Sequence, residues 1–255
     1  MSGADPRARD RSHYSYAHYA DPRVAAGFDA LRFGGPIGQL LAETQERVIA
    51  DFLAPLEGLH VLDVGTGTGR AAIALAGRGA RVTAVDASQD MLDVACTRAI
   101  AAGADVRFQP ADAHALPFAD GSFDAVVSLR VLMHTPAWTQ ALSELCRVSR
   151  SRVVLDYPSA RSLAALQAAA RRIAAALGRN TEAYRVFRPG RIRAALFMYG
   201  FRITAVHRQF VLPIAVHKAI GSRRFTDATE RTLGALGLDR AFGSPITIVA
   251  ERCAS

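Results

Sequence analysis

The sequence predicts an α/β protein whose core is a doubly wound, mostly parallel sheet of seven strands. Apolar runs of strand length alternate with segments in which apolar residues recur at helical spacing, the pattern of parallel strands joined by helical crossovers. A glycine-rich turn at residues 65–69 follows the first such run and opens a helix. The run at 123–129 is apolar almost throughout, as expected of a central strand covered on both faces.

Residues 1–55 are predicted to form a helical segment in front of the sheet. An amphipathic helix is expected at about 39–53, before Pro55. Aromatic rings are concentrated earlier in this segment, and we interpret them as a lid over a ligand; the alternative is a helix packed on the sheet edge. The four rings assigned to the lid are Tyr16, Tyr19, Phe28 and Phe33.

The turn after the first strand carries the motif D-x-G-x-G-x-G over residues 63–69. A phosphate-binding loop of the Walker type needs a lysine that is absent here. A dinucleotide fingerprint would place its third glycine at Arg70, and Asp63 would repel the pyrophosphate. S-adenosyl-L-methionine fits better, because a carboxylate attracts its ammonium and sulfonium groups and the helix N-terminus suits its own carboxylate.

Further acids follow the next two strands. Strand 81–86 ends at Asp86, about 20 residues beyond the glycine turn, the spacing at which a βαβ unit brings a carboxylate to ribose hydroxyls. Strand 106–109 is followed by Asp112. The carboxyl ends of parallel strands share one sheet edge, so we expect these acids to converge there with the corner at 129–134.

The sequence around the third and fourth strands carries a resemblance to a known family. Asp112 is followed by Leu-Pro-Phe at 116–118 and Ser-Phe-Asp at 122–124. With the glycine motif, this order resembles the class I S-adenosylmethionine-dependent methyltransferases, in particular the small-molecule group that includes the quinone C-methyltransferases. The resemblance covers about residues 59–150. It implies a Rossmann-like methyltransferase fold, with Asp112 binding the adenine amino group and the backbone of Ala113 contacting the ring.

We assign the cofactor site to one edge of the sheet. The assigned residues are Asp63, Gly65, Thr66, Gly67, Gly69, Asp86, Ala87, Met91, Asp112, Ala113 and Leu129.

Three residues are candidates for contacting or deprotonating the methyl acceptor. His134 is the candidate general base, since an imidazole can accept a proton near neutral pH; the alternative is that it lines the pocket. Arg130 is expected to hold either an anionic group of the acceptor or an interior carboxylate. His217 lies in a mostly helical insertion at about 212–242, before the last strand, and could face the acceptor.

The chain lacks the Asn/Asp-Pro-Pro-Tyr/Phe tetrapeptide after the fourth strand that accepts amino groups in enzymes methylating adenine or glutamine amides. Its absence favours O-, C- or S-methylation. The expected acceptor is a hydrophobic small molecule, such as a quinone precursor, polyketide or isoprenoid. A non-catalytic cofactor-binding protein on the same scaffold is an alternative, since a fold does not establish an activity.

The formal charge of +8 raises the further alternative of an RNA methyltransferase. Lys218 is the single lysine among 31 basic residues, and this excess of arginine is typical of a GC-rich genome. The arginines are spread along the chain, so nucleic acid is not the expected partner. The three cysteines have no metal-ligand spacing and no apolar run has the length of a membrane span, so we expect no metal and a cytoplasmic protein. The sequence leaves the oligomeric state open.

Overall fold

The computed structural model describes residues 27, 29–30, 32–162, 165 and 184–253. Seven strands form one sheet in the order β3-β2-β1-β4-β5-β7-β6. Neighbouring strands are parallel except at β7, which runs antiparallel to both β5 and β6. The strands are β1 (His60–Val64), β2 (Arg81–Asp86), β3 (Val106–Pro110), β4 (Phe123–Ser128), β5 (Ser149–Tyr157), β6 (Phe201–Phe210) and β7 (Ser244–Arg252). The predicted seven-stranded, mostly parallel sheet is confirmed.

Helices connect these strands and precede them. They are α1 (Gly35–Leu53), α2 (Arg70–Ala76), α3 (Gln89–Ala101), α4 (Trp138–Val148), α5 (Pro189–Met198), α6 (Ile214–Ile220), α7 (Arg223–Ala235) and α8 (Leu238–Phe242), with a 3-10 turn at Leu132–His134. Helix α1 begins four residues before the predicted start because Pro36 occupies its first turn, where a missing N–H costs nothing. Helix α3 begins after Ser88, whose Oγ accepts a 3.2 Å hydrogen bond from Met91 N.

Helices cover both faces of the sheet, which makes it doubly wound. On one face, α4 and α5 pack on the sheet through Leu145 and Leu196, which belong to one buried cluster with Val126. On the other, α1 and α2 pack through Leu53 and Leu75, in a second cluster with Val127. Successive residues of β4 therefore point to opposite faces, and both faces are apolar because both are buried.

The segment between β6 and β7 forms helices α6, α7 and α8, as the sequence predicts for the insertion. Glu230 on α7 accepts hydrogen bonds from Val211 N at 2.7 Å and from Leu212 N at 3.1 Å. It also bonds His217 Nε2 on α6 at 2.7 Å. One carboxylate thus joins the end of β6 to two helices of the insertion.

Candidate active site

The turn between β1 and α2 has positive backbone φ angles, which glycine adopts without strain. Gly65, Gly67 and Gly69 have φ angles of 71°, 55° and 81°. A Cβ atom on Gly65 would lie 2.2 Å from Val131 Cγ2, so the corner after β4 leaves no room for a side chain there. A Cβ on Gly67 would meet nothing within 4 Å. The backbone of Gly67 therefore faces open space in which a ligand can approach it.

Hydrogen bonds hold this turn against the end of β2. The backbone N–H groups of Gly65 and Thr66 donate to Val85 O at 2.8 and 3.0 Å. Gly67 N donates to Asp86 Oδ2 at 2.8 Å, and Ser88 N donates to Asp86 Oδ1 at 2.9 Å. Asp86 thus fixes the turn as well as facing the cavity beside it.

Two buried carboxyl groups lie close to this turn. Asp63 is 2% exposed and accepts a 2.7 Å hydrogen bond from Thr66 Oγ1. Burial raises the pKa of Asp63 to about 6; the hydrogen bond from Thr66 opposes this rise and the Asp86 charge adds to it. Burial also raises the pKa of Asp86, against the backbone hydrogen bonds it accepts. A cation placed between these acids would favour their ionised forms.

The loop after β3 presents a third acid. Asp112 is buried, and its Oδ1 accepts a 2.9 Å hydrogen bond from His114 N and lies 2.7 Å from His114 Nδ1. His114 was not among the predicted site residues. The signal for it is the two-residue spacing from Asp112, at which an aspartate readily bonds the following backbone and side chain.

A cavity of about 220 Å³ lies over the carboxyl ends of β1 to β4. Ten of the eleven residues assigned to the cofactor site line it; the exception is Gly69, which is the N-cap residue of α2. Sequence reasoning missed several other lining residues: Arg32, Gln45, Thr68, Arg70, Ala71, Ser88, Ala111, His114, Val131, Thr135 and Pro136. The predicted convergence of three strand ends on one site is therefore seen in the structure.

Residues around the start of α1 cover the glycine turn. The Arg70 guanidinium lies 4.1 Å from the centroid of the Phe33 ring and bonds Glu46 Oε1 at 2.6 Å. Thr68 Oγ1 donates to Asp29 Oδ1 at 2.8 Å. Phe33 is buried and lines the cavity, and its role as a lid residue stays a prediction. The other three predicted lid residues, Tyr16, Tyr19 and Phe28, lie outside the described residues.

A second cavity of about 440 Å³ adjoins the first. Arg32, Phe33 and Arg130 line both cavities and therefore mark their boundary. Most other walls of the second cavity are apolar and come from α1, β6, the insertion and the ends of β5 and β7. These residues include Leu41, Met133, Pro158, Phe210, Val211, Leu212, Ile214 and Pro245. We call this second cavity the chamber.

Arg130 lies at the boundary and has a backbone φ of 62°, a conformation that residues other than glycine seldom adopt. This backbone directs Arg130 N to Asp156 Oδ1, to which it donates a hydrogen bond. Asp156 also accepts a 3.2 Å hydrogen bond from Gln45 Nε2. Burial raises the pKa of Asp156, and the Arg130 charge opposes that rise. The contact with Asp156 is made by the backbone N–H of Arg130, and the Arg130 charge acts on Asp156 without a described hydrogen bond from the guanidinium. The role expected for the Arg130 guanidinium stays a prediction.

Residues 61–152 match a family model described as a methyltransferase domain. This segment is a methyltransferase domain. Over 104 residues the chain is 44% identical to the demethylmenaquinone methyltransferase of Thermus thermophilus, covering 39% of this chain and 47% of that protein. Over 123 residues it is 37% identical to an O-methyltransferase of Penicillium expansum, covering 46% of this chain and 44% of that one. The chain spans less than half the length of the curated relatives that it matches.

The fold of this chain is similar to that of a methyltransferase whose structure has been solved. The crystal structure of magnesium protoporphyrin IX methyltransferase from Synechocystis superposes with a TM-score of 0.63 at 23% identity. The superposition covers 97% of this chain and 100% of that one. The likeness establishes the Rossmann-like methyltransferase fold.

The two histidines predicted to act on the acceptor take different positions. His134, in the 3-10 turn of the methyltransferase domain, is 8% exposed and lines the first cavity. His217 is fully buried inside the insertion, where its Nδ1 lies 3.1 Å from Thr226 Oγ1 and its Nε2 bonds Glu230. It is not among the residues lining either cavity and instead holds α6 on α7.

The arginines at the end of the methyltransferase domain are engaged within the chain. Arg147 makes paired 2.7 Å hydrogen bonds to the two oxygens of Glu144 and bonds Phe118 O at 2.7 Å. Arg150 bonds Asp124 Oδ1 at 2.5 Å. Both arginines therefore have acidic partners within the chain.

Within the described ranges, no group of three or more His, Cys, Asp or Glu side chains is arranged to hold a metal ion. Likewise, none of the helices in this part of the chain is long and apolar enough to cross a bilayer.

Proposed function

We propose that this protein is an S-adenosyl-L-methionine-dependent methyltransferase that methylates an oxygen or carbon atom of a hydrophobic small molecule. The observation that carries the proposal is one cavity lined by the glycine turn, Asp63, Asp86 and Asp112, joined at Phe33 to an apolar chamber. The similarity to the demethylmenaquinone methyltransferase of Thermus and the O-methyltransferase of Penicillium supports it, as does the S-adenosylmethionine bound in the Synechocystis structure.

The residues present suit this cofactor. The space open at Gly67 admits a ligand to the backbone, and the N-terminus of α2 favours an anionic group such as the cofactor carboxylate. We assign attraction of the ammonium to Asp63 and binding of the ribose hydroxyls to Asp86, the roles predicted from the sequence. By resemblance to the family, Asp112 binds the adenine amino group. When bound, S-adenosylmethionine supplies a methyl group already activated on a sulfonium.

The chain's own residues then have to align the acceptor and exclude water. Phe33, whose ring lies against the Arg70 guanidinium, lines the boundary between the cavity and the chamber. The apolar walls of the chamber suit a quinone precursor, polyketide or isoprenoid. We propose His134 as the group that accepts a proton from the acceptor.

A transfer assay tests the proposal directly. The protein would be incubated with methyl-labelled S-adenosylmethionine and either a panel of hydroquinones and hydroxylated polyketides or transfer and ribosomal RNA. We expect label in a small molecule, lost in Asp86→Ala and retained in Asp93→Ala, which removes an exposed acid from α3. Efficient transfer to RNA alone would contradict the proposal. Cofactor binding with no transfer to any acceptor would favour the non-catalytic alternative.

A further inference from the structure

Strand β5 carries a buried acid near its carboxyl end. Val153, Val154 and Leu155 are apolar and buried, and Asp156 follows them in the strand. Asp156 is 2% exposed and lines the chamber. Ligands of open α/β sheets bind outside the carboxyl ends of the parallel strands, so a ligand in the chamber can reach this acid. No role proposed above uses this carboxyl group.

Asp156 lies where the chamber meets the cofactor cavity. Its Oδ1 accepts a hydrogen bond from Arg130 N, and its Oδ2 accepts a 3.2 Å hydrogen bond from Gln45 Nε2. Arg130 and Gln45 both line the cofactor cavity, whereas Asp156 lines the chamber. The reactive end of an acceptor held in the chamber has to reach this junction.

These contacts hold the Asp156 carboxyl group as a hydrogen-bond acceptor. The positive φ of Arg130 directs its N–H to Asp156, and strained backbone of this kind is found at ligand sites. Burial raises the pKa of Asp156, while the Arg130 charge and the donors from Arg130 N and Gln45 oppose the rise and favour the ionised form. An ionised carboxylate can accept about four hydrogen bonds, so a further donor can reach it from the chamber.

We propose that the acceptor carries a hydroxyl group that donates a hydrogen bond to the Asp156 carboxylate at the junction of the chamber and the cofactor cavity. This inference rests on the proposed function, since it names the substrate class of that site: apolar molecules with a phenolic or enolic hydroxyl. His134 lines the cofactor cavity and not the chamber, so this hydroxyl is a recognition group next to the methylated atom.

The proposal has a consequence for ligands of the same shape that lack the hydroxyl proton. Such a ligand would displace water from the Asp156 carboxylate without replacing its hydrogen bond, which costs affinity. An ether is more apolar than the matching phenol, so burial of apolar surface alone would favour the ether. A preference for the phenol therefore reports the hydrogen bond and not the hydrophobic effect.

A matched pair of ligands tests this inference without a known substrate. 1-Naphthol and 1-methoxynaphthalene share one skeleton and differ in the hydroxyl proton. Both would be titrated by calorimetry into the full chain with S-adenosylhomocysteine in excess, so that the cofactor cavity is filled. Asp156→Asn keeps the shape of the side chain and an oxygen for Arg130 N; Asp156→Ser removes the carboxyl group altogether. The control is Glu144→Gln, at an acid that also accepts a backbone hydrogen bond but lines neither cavity.

We expect wild type to bind 1-naphthol about 10-fold more tightly than 1-methoxynaphthalene, as for a hydrogen bond to a charged group. Asp156→Asn and Asp156→Ser should weaken 1-naphthol about 10-fold and leave 1-methoxynaphthalene within about twofold. Glu144→Gln should stay within about twofold of wild type for both ligands.

A wild type that binds neither ligand, or that binds the ether as tightly as the phenol, would overturn the proposal. So would a preference for 1-naphthol that survives in Asp156→Asn, or an equal weakening of both ligands, since the latter would show a structural role alone. Binding of S-adenosylhomocysteine to each protein is measured separately. Its absence in folded wild type would count against the proposed function, so the two failures are distinguishable.

Discussion

The backbone N–H of Gly67 donates a 2.8 Å hydrogen bond to Oδ2 of Asp86. The glycine turn after β1 and the acid at the end of β2 are therefore one structural unit, although 19 residues separate them. The unit exists because β1 and β2 pair in parallel, with Val64 opposite Val85, so that both strands end at the same edge. A ligand that contacts either motif contacts a backbone held by the other.

The raised pKa of Asp63 predicts a pH dependence for cofactor binding. A cationic ligand binds the ionised carboxylate, and with a pKa of about 6 the ionised fraction rises roughly tenfold between pH 5 and pH 7. We expect the affinity for S-adenosylmethionine to rise by about that factor over this range and to fall again on acidification. Calorimetry at pH 5, 6 and 7, in buffers of different ionisation enthalpy, would also detect the released proton.

The matched control is Asp63→Asn, which should bind the cofactor weakly and with the same affinity at pH 5 and pH 7. A wild-type affinity that does not change across this range would show that Asp63 does not contact the cationic part of the ligand.

Gly65→Ala should abolish measurable cofactor binding. The new Cβ would lie 2.2 Å from Val131 Cγ2 and would occupy a φ of 71°, so the turn must move. Gly103→Ala is the control, because Gly103 has a φ of 62° and open space around it, away from the site. It shares the backbone strain, about 1 kcal/mol, without the clash.

The double variant Gly65→Ala/Val131→Ala removes the clashing methyl groups and should recover part of the binding. Unchanged affinity in Gly65→Ala, measured by calorimetry on folded protein, would mean that the cofactor does not need this turn.

His134→Ala and His134→Gln should lower kcat about 100-fold or more with little change in the affinity for S-adenosylhomocysteine, as expected on loss of a general base. At saturating S-adenosylmethionine, the acidic limb of the pH profile of kcat should disappear in these variants. Steady-state kinetics and calorimetry on the same preparations make this comparison. If a loss of cofactor affinity accounted for the whole loss of kcat/KM, His134 would line the cavity without acting as a base.

Arg147→Met should destabilise the fold without changing cofactor affinity. Arg147 bonds Glu144, Asp120 and the carbonyls of the loop before β4, and these partners would be left without their donor. Charged hydrogen bonds of this kind predict a loss of about 2–3 kcal/mol in the free energy of unfolding, measured by denaturant titration. Arg78→Met, at an exposed position, should cost less than about 0.5 kcal/mol. Equal stability of wild type and Arg147→Met would contradict the assigned role.

Local patterns in the sequence were sufficient to predict the sheet and many of the residues that line the first cavity. Asp63, Asp86 and Asp112 each end or follow a strand, and the rule that parallel strands end on one edge brings them together without any knowledge of side-chain contacts. Gly65 and Gly67 could be recognised because their backbone conformation is restricted locally.

Contacts between distant residues could not be predicted from the sequence. The stacking of Phe33 on Arg70 and the hydrogen bond of Arg130 N to Asp156 depend on how α1 and β5 pack, and neither leaves a local pattern. The same holds for His217, where no feature of the sequence distinguishes an acceptor-facing histidine from one bound to Glu230. The chamber is built from these contacts, so it is visible in the structure alone.

The most direct test of this account is calorimetric titration of S-adenosylmethionine and S-adenosylhomocysteine into wild type, Asp86→Ala and Asp93→Ala. We expect micromolar binding of both ligands to wild type and to Asp93→Ala. We expect loss of that binding in Asp86→Ala, with circular dichroism confirming that the variant remains folded. No binding of either ligand by folded wild-type protein would contradict it.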